Sequence, residues 1–223
     1  MTEKTAKSGR PATRQKLLDA AVKLMRIKGF NATSVEDICD FADVTKGGFF
    51  HYFPSKQAVA KAAVEHYRRT RQLAFEQAPF RKLADPLERV YGRLNFIKND
   101  LLECVQVTGG CLVGMFAQEL AVTHPLLRQT CLNAFLSMTL EFEKDLVAAK
   151  ACHAPQADFD PKRLANLFMA IYQGSLLLAK AADSHTIVEE NFDQFARLLA
   201  GLFIRAPGSH PAMANPPSEH SRN

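Results

Sequence analysis

Residues 33 to 56 read Thr-Ser-Val-Glu-Asp-Ile-Cys-Asp-Phe-Ala-Asp-Val-Thr-Lys-Gly-Gly-Phe-Phe-His-Tyr-Phe-Pro-Ser-Lys, and they leave the chain little choice of local structure. Ser34, followed three residues later by Asp37, is a capping box that starts a helix. Ile38, Phe41 and Ala42 recur at helical spacing and predict one buried face. Asp43 falls where the chain must turn, and Asp tolerates left-handed backbone better than most residues. Thr45 can cap a second short helix, and Ser55 a third that starts at Lys56. Two short helices joined by a tight turn form a helix-turn-helix, whose second helix enters the DNA major groove.

The second helix has an unusual composition. Two glycines, Gly47 and Gly48, each cost roughly 1 kcal/mol relative to alanine in a helix. Selection for helix stability alone would remove them, whereas close approach of backbone to a DNA strand would keep them. Phe49 and Phe53 are four apart and face inward, so His51 and Tyr52 fall towards the outer side. Tyr52 can offer its hydroxyl to a phosphate, and Lys56 at a helix N-terminus makes a second phosphate site.

The run Val-Thr-Lys-Gly-Gly-Phe-Phe-His-Tyr-Phe-Pro-Ser-Lys resembles the recognition-helix signature of the TetR family of transcriptional regulators, in its AcrR-like group. The resemblance spans residues 11 to 60. It implies that Lys46, Gly47, Gly48 and His51 reach base edges or the groove wall, with Thr45 capping their helix. It implies phosphate contacts from Ser34, Tyr52 and Lys56. Three positions depart from the family pattern. Asp43 stands where glycine is common, Phe50 where tyrosine is common, and Gln57 where glutamate is frequent. Phe50 has no hydroxyl, so a phosphate contact there is not carried over.

Charge is uneven along the 223 residues. Residues 1–71 hold 14 Lys and Arg against 7 Asp and Glu, and the remainder holds 14 against 16. A basic first third joined to a near-neutral remainder fits DNA binding at one end. No continuous run approaches the roughly 18 apolar residues of a membrane span, and the N-terminus lacks the apolar segment of a secretory signal. Five cysteines at irregular spacing fit no disulfide framework and no zinc site, so the expectation is a bacterial cytoplasmic protein with no metal or cofactor. No nucleophile and base are paired by motif, so no enzyme is expected.

From Pro86 onward the pattern is helical throughout, and nine helices are expected in an all-α, two-domain chain. Residues 1–10 read as a disordered basic arm, 11–57 as the DNA-binding domain, 58–206 as an effector-binding and dimerisation domain, and 207–223 as a disordered tail. The last two helices are very apolar. Leu164, Phe168 and Ile171 on one, with Phe195, Leu199 and Phe203 on the other, predict a four-helix homodimer interface, as the resemblance also implies. The competing reading is that both helices bury into their own protomer.

Phe96, Met115, Phe116, Phe135, Met138, Phe142 and Tyr172 are bulky residues on the helices that surround the ligand site in the resembled family. They suit an adaptable apolar pocket and equally a plain core. Cys111 follows Gly109-Gly110 at a predicted helix start, where thiolate is favoured. Gly-Gly-Cys-Leu resembles the same region of thiol-bearing TetR regulators, in which a lysine at the place of Lys180 approaches the cysteine. Cys111 is therefore both a pocket candidate and a redox-switch candidate, and the first cysteine expected to react with an alkylator. The combined expectation is a dimeric repressor of a palindromic double-stranded operator, released by a small molecule or by modification of Cys111. Two readings from other classes compete: a helical small-molecule-binding protein without DNA binding, and a thiol enzyme.

Overall fold

The computed structural model describes the backbone of residues 9–108 and 110–204, with side chains from 12–102 and 110–203. Among these residues there are nine α-helices and no strand: α1 Gly9–Lys28, α2 Val35–Ala42, α3 Lys46–Tyr52, α4 Lys56–Gln77, α5 Pro86–Thr108, α6 Leu112–Leu120, α7 Pro125–His153, α8 Pro161–Ala182 and α9 Thr186–Ile204. A short 3-10 turn, Pro79–Lys82, joins α4 to α5. Of the expected basic arm, residues 1–10, only Gly9 and Arg10 are described, as the start of α1, and the expected tail, residues 207–223, lies outside the described residues. Helix α1 thus begins earlier than the predicted Thr13. Pro11 is tolerated because the first-turn N–H groups have no partner inside the helix.

Local chemistry sets each boundary of the N-terminal unit. Gly29 ends α1 at φ +83°, a conformation open to glycine. The buried Thr33 donates its hydroxyl to the Gly29 carbonyl at 2.6 Å and fixes the following turn. At the start of α2 the Asp37 N–H donates to Ser34 Oγ at 2.9 Å, and the Ser34 N–H donates to Asp37 Oδ2 at 2.7 Å. Asp43 closes α2 in the left-handed region at φ 53°. Leu17, Ala21, Met25, Ile38, Cys39, Phe49 and Val59 pack as one core among α1 to α4.

One expectation there is corrected. Phe41 is 50% exposed, under the Lys23 ammonium at 5.0 Å from its ring centroid. Cys39 takes the buried place instead. In an eight-residue helix both residues flank the apolar stripe, and the packing of α1 selects the smaller one.

The C-terminal unit is built around α7, which packs against α4, α5, α6 and α8, while α9 lies on α8 and α5. Asp160 caps α8, accepting from the N–H groups of Lys162 and Arg163, and Pro161 occupies the first position. By length and a mean hydropathy of 1.2, α8 could also cross a membrane, although it holds no continuous apolar run of that length. Its apolar residues instead divide between a core side and an outer side. Helix α4 belongs to both units. It packs on α1 at the DNA-reading end and on α7 further along.

Candidate nucleic-acid interface and effector cavity

Helix α3 stands at the surface with its cap in place. Thr45 Oγ1 accepts from the Gly48 N–H at 3.1 Å. Phe49 and Phe53 are buried, whereas Lys46, Gly47, Phe50 and His51 are exposed and Tyr52 is half-buried, its ring edge-on to His51. Ser34 and Thr45 are also exposed at the two caps. Lys46, Gly47, Phe50 and His51 recur at helical spacing on the exposed side of α3.

The two glycines separate on inspection. A Cβ on Gly48 would lie 2.8 Å from Val44 Cγ1, so internal packing requires that glycine. A Cβ on Gly47 would meet nothing closer than Thr45 Oγ1 at 4.0 Å. No packing among the described residues calls for glycine at Gly47.

Two lysines are already engaged. Lys46 is ion-paired with Glu36 in the first turn of α2, and each raises or lowers the other's pKa toward the charged form. Lys56 Nζ donates to the Asn31 carbonyl at 3.2 Å and sits 4.3 Å from the Phe30 ring centroid. Burial pushes the Lys56 ammonium down from its ordinary value. Lys56 thus ties the α1–α2 turn to the start of α4 as well as standing near the surface.

The turn is held from the other side by Glu119 of α6. Its carboxylate accepts from the Phe30 N–H at 2.8 Å and the Asn31 N–H at 2.7 Å. Arg26 of α1 donates to the Gly110 carbonyl just before α6, at 2.8 Å. Phe30 packs edge-on against Phe116 and His124. The two units are joined by directional bonds as well as apolar contact. Sequence reasoning missed Glu119. A signal existed: it is the only charged residue of α6, in the last turn, where the helix dipole disfavours a carboxylate.

A cavity of about 190 Å³ opens between α4, α5, α7 and α8. Met138, Phe142 and Tyr172 line it, joined by Ile97 and Phe168 on the apolar side. Its other side carries Arg71, Arg81 and Arg93. Burial pushes the Tyr172 phenol well above its ordinary pKa and keeps it neutral.

Residues 17–63 match the model of the bacterial regulatory proteins of the tetR family, and residues 87–195 match that of the tetracyclin repressor-like C-terminal domain. The chain belongs to the TetR family. It is a helix-turn-helix, DNA-binding transcriptional regulator. It is 26% identical over 193 residues to the HTH-type transcriptional repressor DhaR of Mycobacterium sp. (strain GP1), covering 83% of this chain and 89% of that one. It is 29% identical over 169 residues to the transcriptional regulator AcuR of Cereibacter sphaeroides, covering 74% and 75%. The solved regulatory protein TetR from Rhodobacter sphaeroides superposes with a TM-score of 0.75 at 26% identity, over 83% of this chain and 97% of that one.

In this TetR-family regulator the remaining pocket candidates lie elsewhere than the cavity. Phe96 stacks with Phe75 and Phe80, and Phe116 is sealed against Phe30. Phe135 is partly buried against the core. Cys111, Met115 and Lys180 line a separate hollow between α1, α6 and α8. Cys111 precedes α6 as expected but is 3% exposed, while Cys152 is exposed. By exposure, Cys152 is a more accessible thiol than Cys111.

The interface candidates also need correction. Leu164, Phe168, Phe195 and Leu199 are buried inside their own protomer, with Phe168 stacked on Phe192 and Phe195. Phe203 packs on Phe159. The outer face of α8 and α9 presents Leu167, Leu178 and Leu198, with the half-buried Ile171 between them. Both helices are apolar on two sides, and periodicity alone does not say which side faces the core.

Proposed function

We propose that this regulator acts as a homodimeric repressor. It holds a palindromic operator through α3 and lets go when a small, largely apolar molecule enters the cavity beside α4. Lys46, Gly47, Gly48 and His51 approach the base edges, with Gly47 the closest backbone. Ser34, Tyr52 and Lys56 take phosphates. Dimerisation through the outer leucines of α8 and α9 sets the two copies of α3 one helical turn of DNA apart, about 34 Å.

One observation carries the release mechanism. Helix α4 lends Tyr67, Arg71 and Phe75 to the cavity wall, and its first residue, Lys56, is tied to the turn before α2. A ligand that prefers a displaced α4 displaces the reader with it. By mass action it selects the state whose two readers are wrongly spaced. Met138→Trp tests this without a known ligand, because it fills the cavity from α7 and touches no DNA-facing residue. Operator affinity should fall by tenfold or more, with a cooperative melt retained. A folded variant with a filled cavity and wild-type affinity would remove the mechanism.

A second reading, thiol control at Cys111, is favoured by its sharing one hollow with Lys180. It requires that modifying Cys111 releases DNA, and that Cys111→Ser abolishes that response while DNA binding stays intact.

A further inference from the structure

The cavity of this regulator has an electrostatic imbalance at one end. Its basic residues fall into three groups. Arg71 is bonded to Asp100, one cation to one carboxylate. Arg68 reaches Glu76 through Gln72, which accepts from Arg68 at 3.1 Å and donates to Glu76 at 2.8 Å. Each of these two groups has one carboxylate for its guanidinium, Arg68 reaching its own only through a neutral amide.

The third does not. Arg93 is 4% exposed and takes the short bonds of Asp145, from Nε at 2.7 Å and from its terminal nitrogen at 2.6 Å. Arg81 is left with the long contacts, 3.5 Å to Asp145 and 3.4 Å to Glu141. Glu141 is itself shared with Lys144 at 2.7 Å. Three cations thus divide two carboxylates, and the part-buried Arg81, which lines the cavity, has the longest carboxylate contacts of its ion-paired arginines. Two like charges, Arg81 and Arg93, stand close enough to disfavour one another. A part-buried guanidinium held only by long contacts keeps donors that an added carboxylate can take in shorter bonds.

We propose that the effector is a small monocarboxylic acid, its carboxylate bound at Arg81 and its apolar body lying against Met138, Phe142 and Tyr172. The inference rests on the cavity being the effector site. A carboxylate matches the planar guanidinium in two parallel bonds, which an amide, alcohol or amine does not reproduce. The volume of about 190 Å³ limits the body to about one ring or a short alkyl chain.

The test uses matched pairs: benzoate with benzamide, phenylacetate with phenylacetamide, and hexanoate with hexanamide. Binding to the full chain is followed by calorimetry and by thermal shift. At least one acid should bind roughly tenfold or more tighter than its amide. Arg81→Gln should erase that preference, and Arg81→Lys should keep part of it, which separates lost charge from lost fold. Equal binding of acids and amides, no binding of any acid at 10-millimolar order, or a preference that survives Arg81→Gln would overturn the proposal. Operator release is read separately. Neutral amides that release DNA as well as the acids would leave the cavity mechanism standing and remove only the carboxylate. An acid that binds through Arg81 without releasing DNA would do the reverse.

Discussion

Glu119→Gln is the sharpest perturbation of the joint between reader and cavity. The carboxylate accepts from two backbone N–H groups, at 2.8 and 2.7 Å, beside a glycine at φ +83°. A bond to a charged acceptor contributes about 1.5–3 kcal/mol net, and exposure reduces the share of the Asn31 bond. The amide keeps one acceptor oxygen but turns an NH₂ towards the second donor, so a loss of about 2 kcal/mol is expected. For a chain of this size that is about 4–8 °C in melting temperature. Hydrogen exchange at the Phe30 amide is the direct assay, because that part-buried N–H loses its charged acceptor whichever way the amide turns. Its protection should fall about 30-fold, while amides of α8 and α9 keep theirs. Gly29→Ala should act in the same direction, since its Cβ would stand 2.9 Å from Glu119 Oε2. Unchanged protection at Phe30 in Glu119→Gln would refute the joint.

The dimer face gives a paired contrast: Leu178→Asp should yield a folded monomer by sedimentation, whereas Leu199→Asp should destabilise the protomer itself by several kcal/mol, of order 3–5; a Leu178→Asp dimer would move the interface elsewhere. A maleimide should label the exposed Cys152 before the buried Cys39, Cys111 and Cys131, the last with its thiol pushed up to about 11 by burial; Cys111 labelled first, by mass spectrometry, would contradict the packing. The Asp37 carboxyl is lowered from 3.8 to about 2 by the Ser34 N–H and then by Lys28. A depressed folded pKa stabilises above the unfolded value and is lost as pH falls through the folded one. The capping box should therefore weaken between about pH 4 and pH 2, and Asp37→Asn should flatten that part of the stability curve; an unaltered acid limb would count against the box.

Short-range chemistry made the reader legible. Ser34, Asp37, Asp43 and Thr45 act within three or four residues of themselves, so their types predict their geometry. Helix ends at Pro79, Pro86, Pro125 and Pro161 were readable for the same reason. The cavity was harder. Met138, Phe142 and Tyr172 line it while Phe96 and Phe116 do not, although all five are bulky and helical. Which face of α5 or α6 meets which neighbour depends on contacts far apart in the chain. The basic end escaped because Arg93 finds Asp145 52 positions away. Which side of α8 and α9 faces outward was unreadable for a simpler reason: two apolar sides give no phase.

The most direct test of operator reading is selection from a random duplex library by the purified full chain, run in parallel with Lys46→Ala and Gly47→Ala. An inverted repeat with half-site centres about one helical turn apart should emerge. Lys46→Ala should relax preference at particular positions of each half-site. Gly47→Ala, which meets no neighbour inside the protomer, should lose affinity without losing stability. Enrichment of no motif, or an unchanged motif and affinity in both variants, would contradict α3 as the element that reads the operator.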